Sequence, residues 1–142
     1  MAIRFFEEET PFKLSKRNTH KKWIGEIAKS EGKQISELVF IFCSDEYLHE
    51  INLSYLNHDT YTDIITFDHT EKENTLEGEI YISIERVIEN ATIVGETFER
   101  ELLRVMSHGV LHLSGYKDKT DQEANLMRKK EEEAIKLFEG VQ

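Results

Sequence analysis

Four short runs rich in β-branched and aromatic residues constrain most strongly what this 142-residue chain can fold into. Runs of this kind, bounded by polar segments, are typical of β-strands. They lie at residues 3–7 (IRFFE), 37–44 (ELVFIFCS), 62–68 (TDIITFD) and 78–84 (GEIYISI). Segments with apolar residues at helical spacing separate and follow them. The pattern predicts an α/β (α+β) fold, in which a small mixed four-stranded sheet is packed with about five helices.

The starts of the predicted helices are marked by residues that favour N-cap positions. Ser15 is the candidate cap of the first helix, and Ser44 or Asp45 is the candidate cap of the second. The apolar face of the first helix is expected to consist of Trp23, Ile24, Ile27 and Ala28. The last three helices are expected at about residues 84–94, 97–113 and 120–138.

Length and composition favour a single domain over residues 1–142, because a chain this short, with 39% hydrophobic residues, can bury one core of ordinary size. No apolar stretch approaches the length of about 20 residues that spans a bilayer, and the first residues lack a signal-peptide pattern. We therefore expect a cytoplasmic protein without a membrane partner. The one cysteine, Cys43, lies in an apolar run and is expected to be a buried, inert thiol.

The net charge of −10 argues against a protein that coats nucleic acid through bulk electrostatics. The segment KLSKRNTHKK at residues 13–22 is the exception, since it holds five basic residues and no acid. These candidate RNA-binding residues are Lys13, Lys16, Arg17, Lys21 and Lys22. A solvated helix face explains the same pattern, so the segment alone does not decide between the two interpretations.

The predicted helix at residues 97–113 carries the strongest functional signal. Its apolar residues recur at helical spacing, which predicts a buried element. His108 and His112 lie four residues apart, so both imidazoles project from one face and can bind one metal ion. The alternative is a pair of core histidines whose nitrogens bond to nearby carbonyl groups.

Gly115 favours the metal interpretation. A glycine placed after the helix can adopt a left-handed conformation, which would let residues 116–119 return past the histidine face and supply a third ligand. The helix then resembles that of zincin-type sites. The pattern lacks the glutamate of H-E-x-x-H, because Gly109 follows the first histidine, and a peptidase is therefore disfavoured.

Several segments resemble the YbeY family of bacterial rRNA-maturation endoribonucleases. HGVLHLSGYKDK at residues 108–119 is similar to the family signature H-G-x-L-H-L-x-G-Y-D-H. TDIITF at 62–67 resembles T-D-V-L-S-F, and LEGEIYIS at 76–83 resembles L-G-D-I-x-I-S. INLSYLNHD at 51–59 resembles the family segment that precedes them.

The resemblance implies a single-strand-specific endoribonuclease that matures the 3′ end of small-subunit rRNA and takes part in ribosome quality control. It implies one Zn²⁺ ion per chain, a water on that ion as nucleophile, and the ribosome or ribosomal proteins as partners. The family binds zinc through three histidines, so the resemblance assigns the ligands to His108, His112 and, at the third position, Asp118. Aspartate is a competent zinc ligand.

Besides Asp118, the sequence departs from the family pattern at a position linked to phosphate binding. Leu56 stands where the family usually has an arginine that is thought to contact RNA phosphate. Arg86, Lys117 and Lys119 are the candidates for supplying that charge, and Arg86 is the one we assign to catalysis. Two further functions stay open: an assembly factor that binds RNA or the ribosome with a structural metal and little turnover, and an unrelated metallohydrolase with a small substrate.

Overall fold

The structure, a computed structural model, describes residues 2–142, which form four strands and five helices. The strands are β1 (Ala2–Glu8), β2 (Gln34–Cys43), β3 (Ile64–Asp68) and β4 (Thr75–Ser83). The helices are α1 (Arg17–Ser30), α2 (Asp45–Leu56), α3 (Ile84–Val94), α4 (Phe98–Leu113) and α5 (Asp121–Val141). The predicted fold class is confirmed. Within residues 2–142, none of the helices is both long and apolar enough to cross a membrane.

The four strands form one mixed sheet in the order β1-β2-β4-β3. β1 pairs with β2 and β2 with β4 in parallel, and β3 joins the edge of β4 in an antiparallel arrangement. Parallel neighbours need a crossover connection, and α1 provides it between β1 and β2. β4 runs directly into α3, which contacts β4, and α4 contacts both β3 and β4.

The main core lies between one face of the sheet and helices α1, α4 and α5. Alternate residues of β2 and β4, such as Phe40 and Ile80, point to this face and are fully buried. Trp23 of α1 is also fully buried, and its indole Nε1–H donates to the carbonyl oxygen of Ala134 at 2.7 Å. That bond joins the first helix to the last helix across the core.

Helix α2 covers part of the opposite face of the sheet. Its buried Leu48 packs with Cys43 and Ile65 in a smaller cluster. Burial raises the pKa of Cys43 to about 12, so this thiol is protonated at neutral pH. The prediction of a buried, unreactive cysteine agrees with this environment.

The caps of the helices match the predictions at the second helix and differ at the first. Ser44 caps α2, because its side chain accepts a hydrogen bond from the backbone N–H of Tyr47 at 3.1 Å. The prediction for Ser15 is wrong. Lys16 is the N-cap residue of α1, in a left-handed conformation with φ 53°, and no side chain within residues 2–142 caps this end.

The bounds of several elements differ from the predicted ones. β2 and β4 begin three residues earlier than expected, since Gln34 and Thr75 pair with each other across the two parallel strands. Polar residues can extend a strand when the neighbouring strand supplies hydrogen-bond partners for their backbone groups. The amino-acid composition of a segment does not reveal this pairing. β3 begins at Ile64, two residues later than expected, and α5 continues to Val141, which packs against the core.

Helix α4 lies very close to the sheet at Gly109. A Cβ atom at this position would lie 2.9 Å from Cγ2 of Ile80 and 3.1 Å from Cδ1 of Ile64. Both distances are shorter than an ordinary van der Waals contact. Glycine at position 109 therefore lets the middle of α4, next to His108, pack directly on β3 and β4.

We predict that Gly109→Ala lowers the free energy of unfolding by about 1–3 kcal/mol, because the added methyl group overpacks the helix–sheet contact. Gly25→Ala in α1 is the matched control, since a Cβ there would meet nothing within 4 Å. Because alanine favours a helix over glycine, this control should gain up to about 1 kcal/mol. Urea denaturation measures both changes. Equal gains in the two variants would contradict the close packing at Gly109.

Candidate metal centre

Two histidines project from the C-terminal half of α4 toward the same point. His108 and His112 lie one helical turn apart, with ring centroids separated by 4.5 Å and ring planes inclined at 81°. Each side chain is partly exposed, whereas the neighbouring Gly109 and Val110 are buried against the sheet. The packing of α4 therefore fixes the backbone of both histidines and leaves their imidazoles accessible.

The turn after α4 reverses the chain through two backbone hydrogen bonds. The N–H of Gly115 donates to the carbonyl oxygen of His112 at 3.0 Å, and the N–H of Tyr116 donates to that of Leu111 at 3.0 Å. This pair of bonds is a Schellman motif. Gly115 has φ 112°, a positive value that side chains other than glycine rarely adopt. The prediction that this glycine redirects the chain agrees with the geometry.

The reversed chain places Asp118 beside both histidines. Its Oδ2 atom lies 3.3 Å from Nε2 of His108 and 3.4 Å from Nε2 of His112. One ligand atom from each of the three residues lies within 4.8 Å of the others. Ligands that bind a tetrahedral ion at about 2.0–2.2 Å are themselves about 3.3–3.5 Å apart. The carboxylate–imidazole distances therefore fit a zinc-sized ion bound by all three side chains.

The other nitrogen of each imidazole is held by a hydrogen bond. Nδ1–H of His112 donates to the backbone carbonyl of Tyr116 at 2.9 Å, and because a carbonyl only accepts, the proton lies on Nδ1. Nδ1–H of His108 donates to Oε2 of Glu131 at 2.6 Å. A ring that carries its proton on Nδ1 alone presents the lone pair of Nε2 toward Asp118, and this is the tautomer that binds a metal ion.

Glu131 belongs to a charged network behind His108. Its other oxygen, Oε1, lies 3.6 Å from Nη1 of Arg104, and Nε of Arg104 lies 3.4 Å from Glu101. Burial raises the pKa of Glu101, opposed by the charge of Arg104. Burial also acts to lower the pKa of His108, but the hydrogen bond and charge of Glu131, with the charge of Asp118, raise it overall.

A groove of about 440 Å³ opens beside His108, between α3, α4 and α5. Its acidic and basic lining residues are Asp63, Glu101, Asp118, Glu131, Arg104 and Arg128, and its apolar ones include Ile93, Val94 and Met127. Burial raises the pKa of Asp63. The acids outnumber the arginines, so the groove attracts a cation before it can accept an anionic substrate.

Sequence reasoning missed Glu131, whose contact with His108 is the shortest polar contact of this site. The signal was a charged residue on the apolar face of a helix: Met127, Ala134 and Phe138 of α5 are buried, and Glu131 lies on the same face. Glu123, the other acidic residue near the start of α5, forms a capping box with Thr120.

The structure places Arg86 outside the groove described above. Its Nε donates to Asp45 at 3.1 Å, its Nη1 lies 3.8 Å from Glu89, and its guanidinium stacks 5.2 Å from the ring centroid of Tyr61. Leu56, the residue at the position of the family arginine, is the last residue of α2 and is 40% exposed. Neither residue lines the groove that contains His108 and Asp118.

The predicted basic segment lies toward the other end of α4. Lys13 and Lys16 line a second pocket that also contains Phe98, the first residue of α4. Ten helical residues, or about 15 Å at 1.5 Å per residue, separate Phe98 from His108. Arg17 pairs with Glu7 at 2.5 Å and so is not free to bind a phosphate without breaking that pair. The remaining two, Lys21 and Lys22, are exposed on α1.

Comparison with known proteins identifies relatives along nearly the whole chain. The family model described as "Endoribonuclease YbeY" matches residues 4–139. A relative from Christiangramia forsetii with the name "Endoribonuclease YbeY" is 56% identical over 136 residues, covering 96% of this chain and 94% of the relative. One of the same name from Cytophaga hutchinsonii is 50% identical over 136 residues, covering 96% and 95%.

A solved structure supports the same assignment. The solution structure of TM1509 from Thermotoga maritima is 30% identical and superposes with a TM-score of 0.68, covering 97% of this chain and 89% of that one. Because the superposition covers nearly all of this chain, the similarity includes both the sheet and the helices that carry the candidate metal centre. With the sequence matches, it shows that this chain belongs to the endoribonuclease YbeY family.

Proposed function

We propose that this protein is a metal-dependent endoribonuclease that cleaves single-stranded RNA during maturation of small-subunit rRNA. The observation that carries the proposal is the convergence of His108, His112 and Asp118 at distances that fit one zinc ion. Relatives that are 50–56% identical carry the name endoribonuclease. We further propose that residues 1–142 act as one domain in the cytoplasm, in association with the ribosome or its proteins.

The three side chains would hold Zn²⁺ through Nε2 of His108, Nε2 of His112 and a carboxylate oxygen of Asp118. When bound, such an ion lowers the pKa of a coordinated water and polarises a phosphoryl oxygen, which are the two needs of phosphodiester hydrolysis. The imidazoles contribute neutral ligands whose orientation is fixed by Tyr116 and Glu131. Asp118 contributes the negative charge that a three-histidine site lacks.

The groove beside His108 is the proposed path of the RNA strand. A single strand can bend into a groove between helices, and its unpaired bases can contact apolar side chains such as Ile93 and Val94. Arg128 is the proposed phosphate contact in this groove. Its side chain is 66% exposed, and its guanidinium lies only at the limit of an ion pair with Glu131, at 3.9 Å.

Arg86 and the basic segment stay as further proposals for RNA contacts. Arg86 would have to exchange Asp45 for a phosphate group, since the two side chains are now bonded. The residues Lys13, Lys16, Arg17, Lys21 and Lys22 would contact RNA that extends well beyond the groove, because they lie toward the opposite end of α4. A strand of several nucleotides is needed to span that distance.

A second candidate function is an assembly factor that binds RNA or the ribosome and turns over little or not at all. Leu56 in place of the family arginine favours this candidate, because leucine cannot contact a phosphate. The two functions differ in one outcome: tight binding of single-stranded RNA without cleavage, in protein loaded with metal, would support the assembly factor.

We predict that His112→Ala weakens zinc binding more than about 100-fold and abolishes RNA cleavage. Loss of a residue that merely supports a ligand costs about 10–100-fold, and His112 is a ligand itself. Competition with a chromophoric chelator and a labelled single-stranded RNA measure the two effects. His69→Ala, which removes an exposed histidine paired with Glu79, is the control and should change neither. Cleavage that survives in His112→Ala would come from a contaminating nuclease.

Substitutions at Asp118 test the third ligand. Asp118→Asn should weaken zinc binding, since the amide oxygen is a poorer ligand and carries no charge. Asp118→His restores the three-histidine pattern of the family and should retain binding of one ion per chain. Elemental analysis after dialysis measures the metal content. Equal zinc content in the wild type and in Asp118→Asn would contradict the role of the carboxylate.

Arg128→Ala should weaken the binding of single-stranded RNA and reduce its salt dependence. Removal of one phosphate contact lowers the slope of log Kd against log salt by about 0.7 for a single strand. Lys129→Ala is the matched control, because Lys129 is exposed on the same helix and outside the groove. Fluorescence anisotropy at several salt concentrations provides the slopes. Identical slopes for the two variants would remove Arg128 from the RNA path.

A further inference from the structure

We propose that Glu131 positions His108 for metal binding, by accepting the Nδ1–H hydrogen bond while its other carboxylate oxygen faces the charge of Arg104. This inference rests on the proposed function, since it concerns the same metal centre. Glu131 is not one of the three candidate ligands, and although it belongs to the lining of the groove, its Oε2 is engaged with His108 at 2.6 Å. It is therefore a positioning residue and acts through the imidazole.

A role in positioning His108 explains why Glu131 is buried. Its side chain is only 7% exposed, although a charged carboxylate loses much solvation energy when it is buried. Valine, leucine or alanine on the apolar face of α5 would pack without that cost. Ala134 and Phe138, which are buried on the same helix, show that the face is otherwise apolar. The retained charge is offset by His108 and Arg104, with Arg128 a further 3.9 Å neighbour of the oxygen that faces Arg104.

Arg104 lies beside the Glu131 carboxylate, on the side away from His108. Its Nη1 lies 3.6 Å from Oε1 of Glu131, while its Nε and Nη2 lie 3.4 Å from Glu101 and 3.5 Å from Glu132. Arg104 is nearly as buried as Glu131, with a side chain that is 9% exposed. Because one oxygen faces the arginine and the other faces His108, rotation of the carboxylate would disrupt two charged contacts in a buried place.

The two imidazoles have different partners, and the difference indicates what Glu131 adds. His112 donates to a backbone carbonyl, which is neutral, whereas His108 donates to a carboxylate. A carboxylate partner makes the imidazole a more basic ligand and holds its ring plane. It also adds negative charge behind the ligand, although Arg104 offsets part of that charge. The pair formed by Glu131 and His108 therefore stabilises a bound dication.

The test compares Glu131→Gln with Glu132→Gln in the full-length protein, with zinc as the probe. Glutamine keeps the shape of the side chain and removes its charge. Glu132 is the matched control, because it pairs with Arg104 and Arg100 but does not contact His108. We expect a 10–100-fold weaker Kd for zinc in Glu131→Gln and less than a threefold change in Glu132→Gln. Thermal unfolding of the metal-free variants shows whether each is folded.

A double-mutant cycle separates positioning from a general structural effect. If Glu131 acts through His108, the substitution Glu131→Gln causes no further loss of zinc affinity in a His108→Ala background. The same loss in both backgrounds, or an unchanged Kd in Glu131→Gln, would overturn the inference while leaving the metal centre intact. A wild type that does not bind zinc would overturn the inference and the proposed function together. Zinc binding without RNA cleavage would contradict only the proposed function.

Discussion

The close packing of α4 between the sheet and α5 is the constraint on which the candidate site depends. Gly109 allows the helix to lie directly on Ile80 and Ile64, and this fixes the backbone that carries both histidines. The helix then ends in a Schellman turn at Gly115, which returns the chain to the same face. Because Asp118 follows this turn closely, a rigid helix end and a short loop suffice to bring the three candidate ligand groups together.

Electrostatics explain how an acidic protein can act on an anionic polymer. The chain has a net charge of −10, and the groove beside His108 contains more acids than arginines. Without a cation this groove repels phosphate. A bound divalent ion reverses the local balance at the one place where cleavage would occur. Under the proposed function, metal binding and RNA binding would be coupled, and the acidic surface would disfavour nonspecific contacts with nucleic acid elsewhere.

Much of the fold and part of the site follow from local patterns in the sequence. Period-two and period-3.6 hydrophobicity located the strands and helices within a few residues, and the spacing of His108 and His112 placed both on one helical face. Glu131 was missed because its partner lies 23 residues away, and periodicity does not say which helices pack together. The same limit applies to Lys13 and Lys16, whose distance from the metal centre depends on how α1 crosses α4.

The central claim is that His108, His112 and Asp118 bind a single ion together. A crystal structure of the zinc-loaded protein, with anomalous diffraction data collected on both sides of the zinc absorption edge, tests it most directly. The account predicts one anomalous peak per chain, about 2.0–2.2 Å from Nε2 of each histidine and from a carboxylate oxygen of Asp118. A peak bound by other residues, or Asp118 turned away from an ion held by the two histidines, would contradict it.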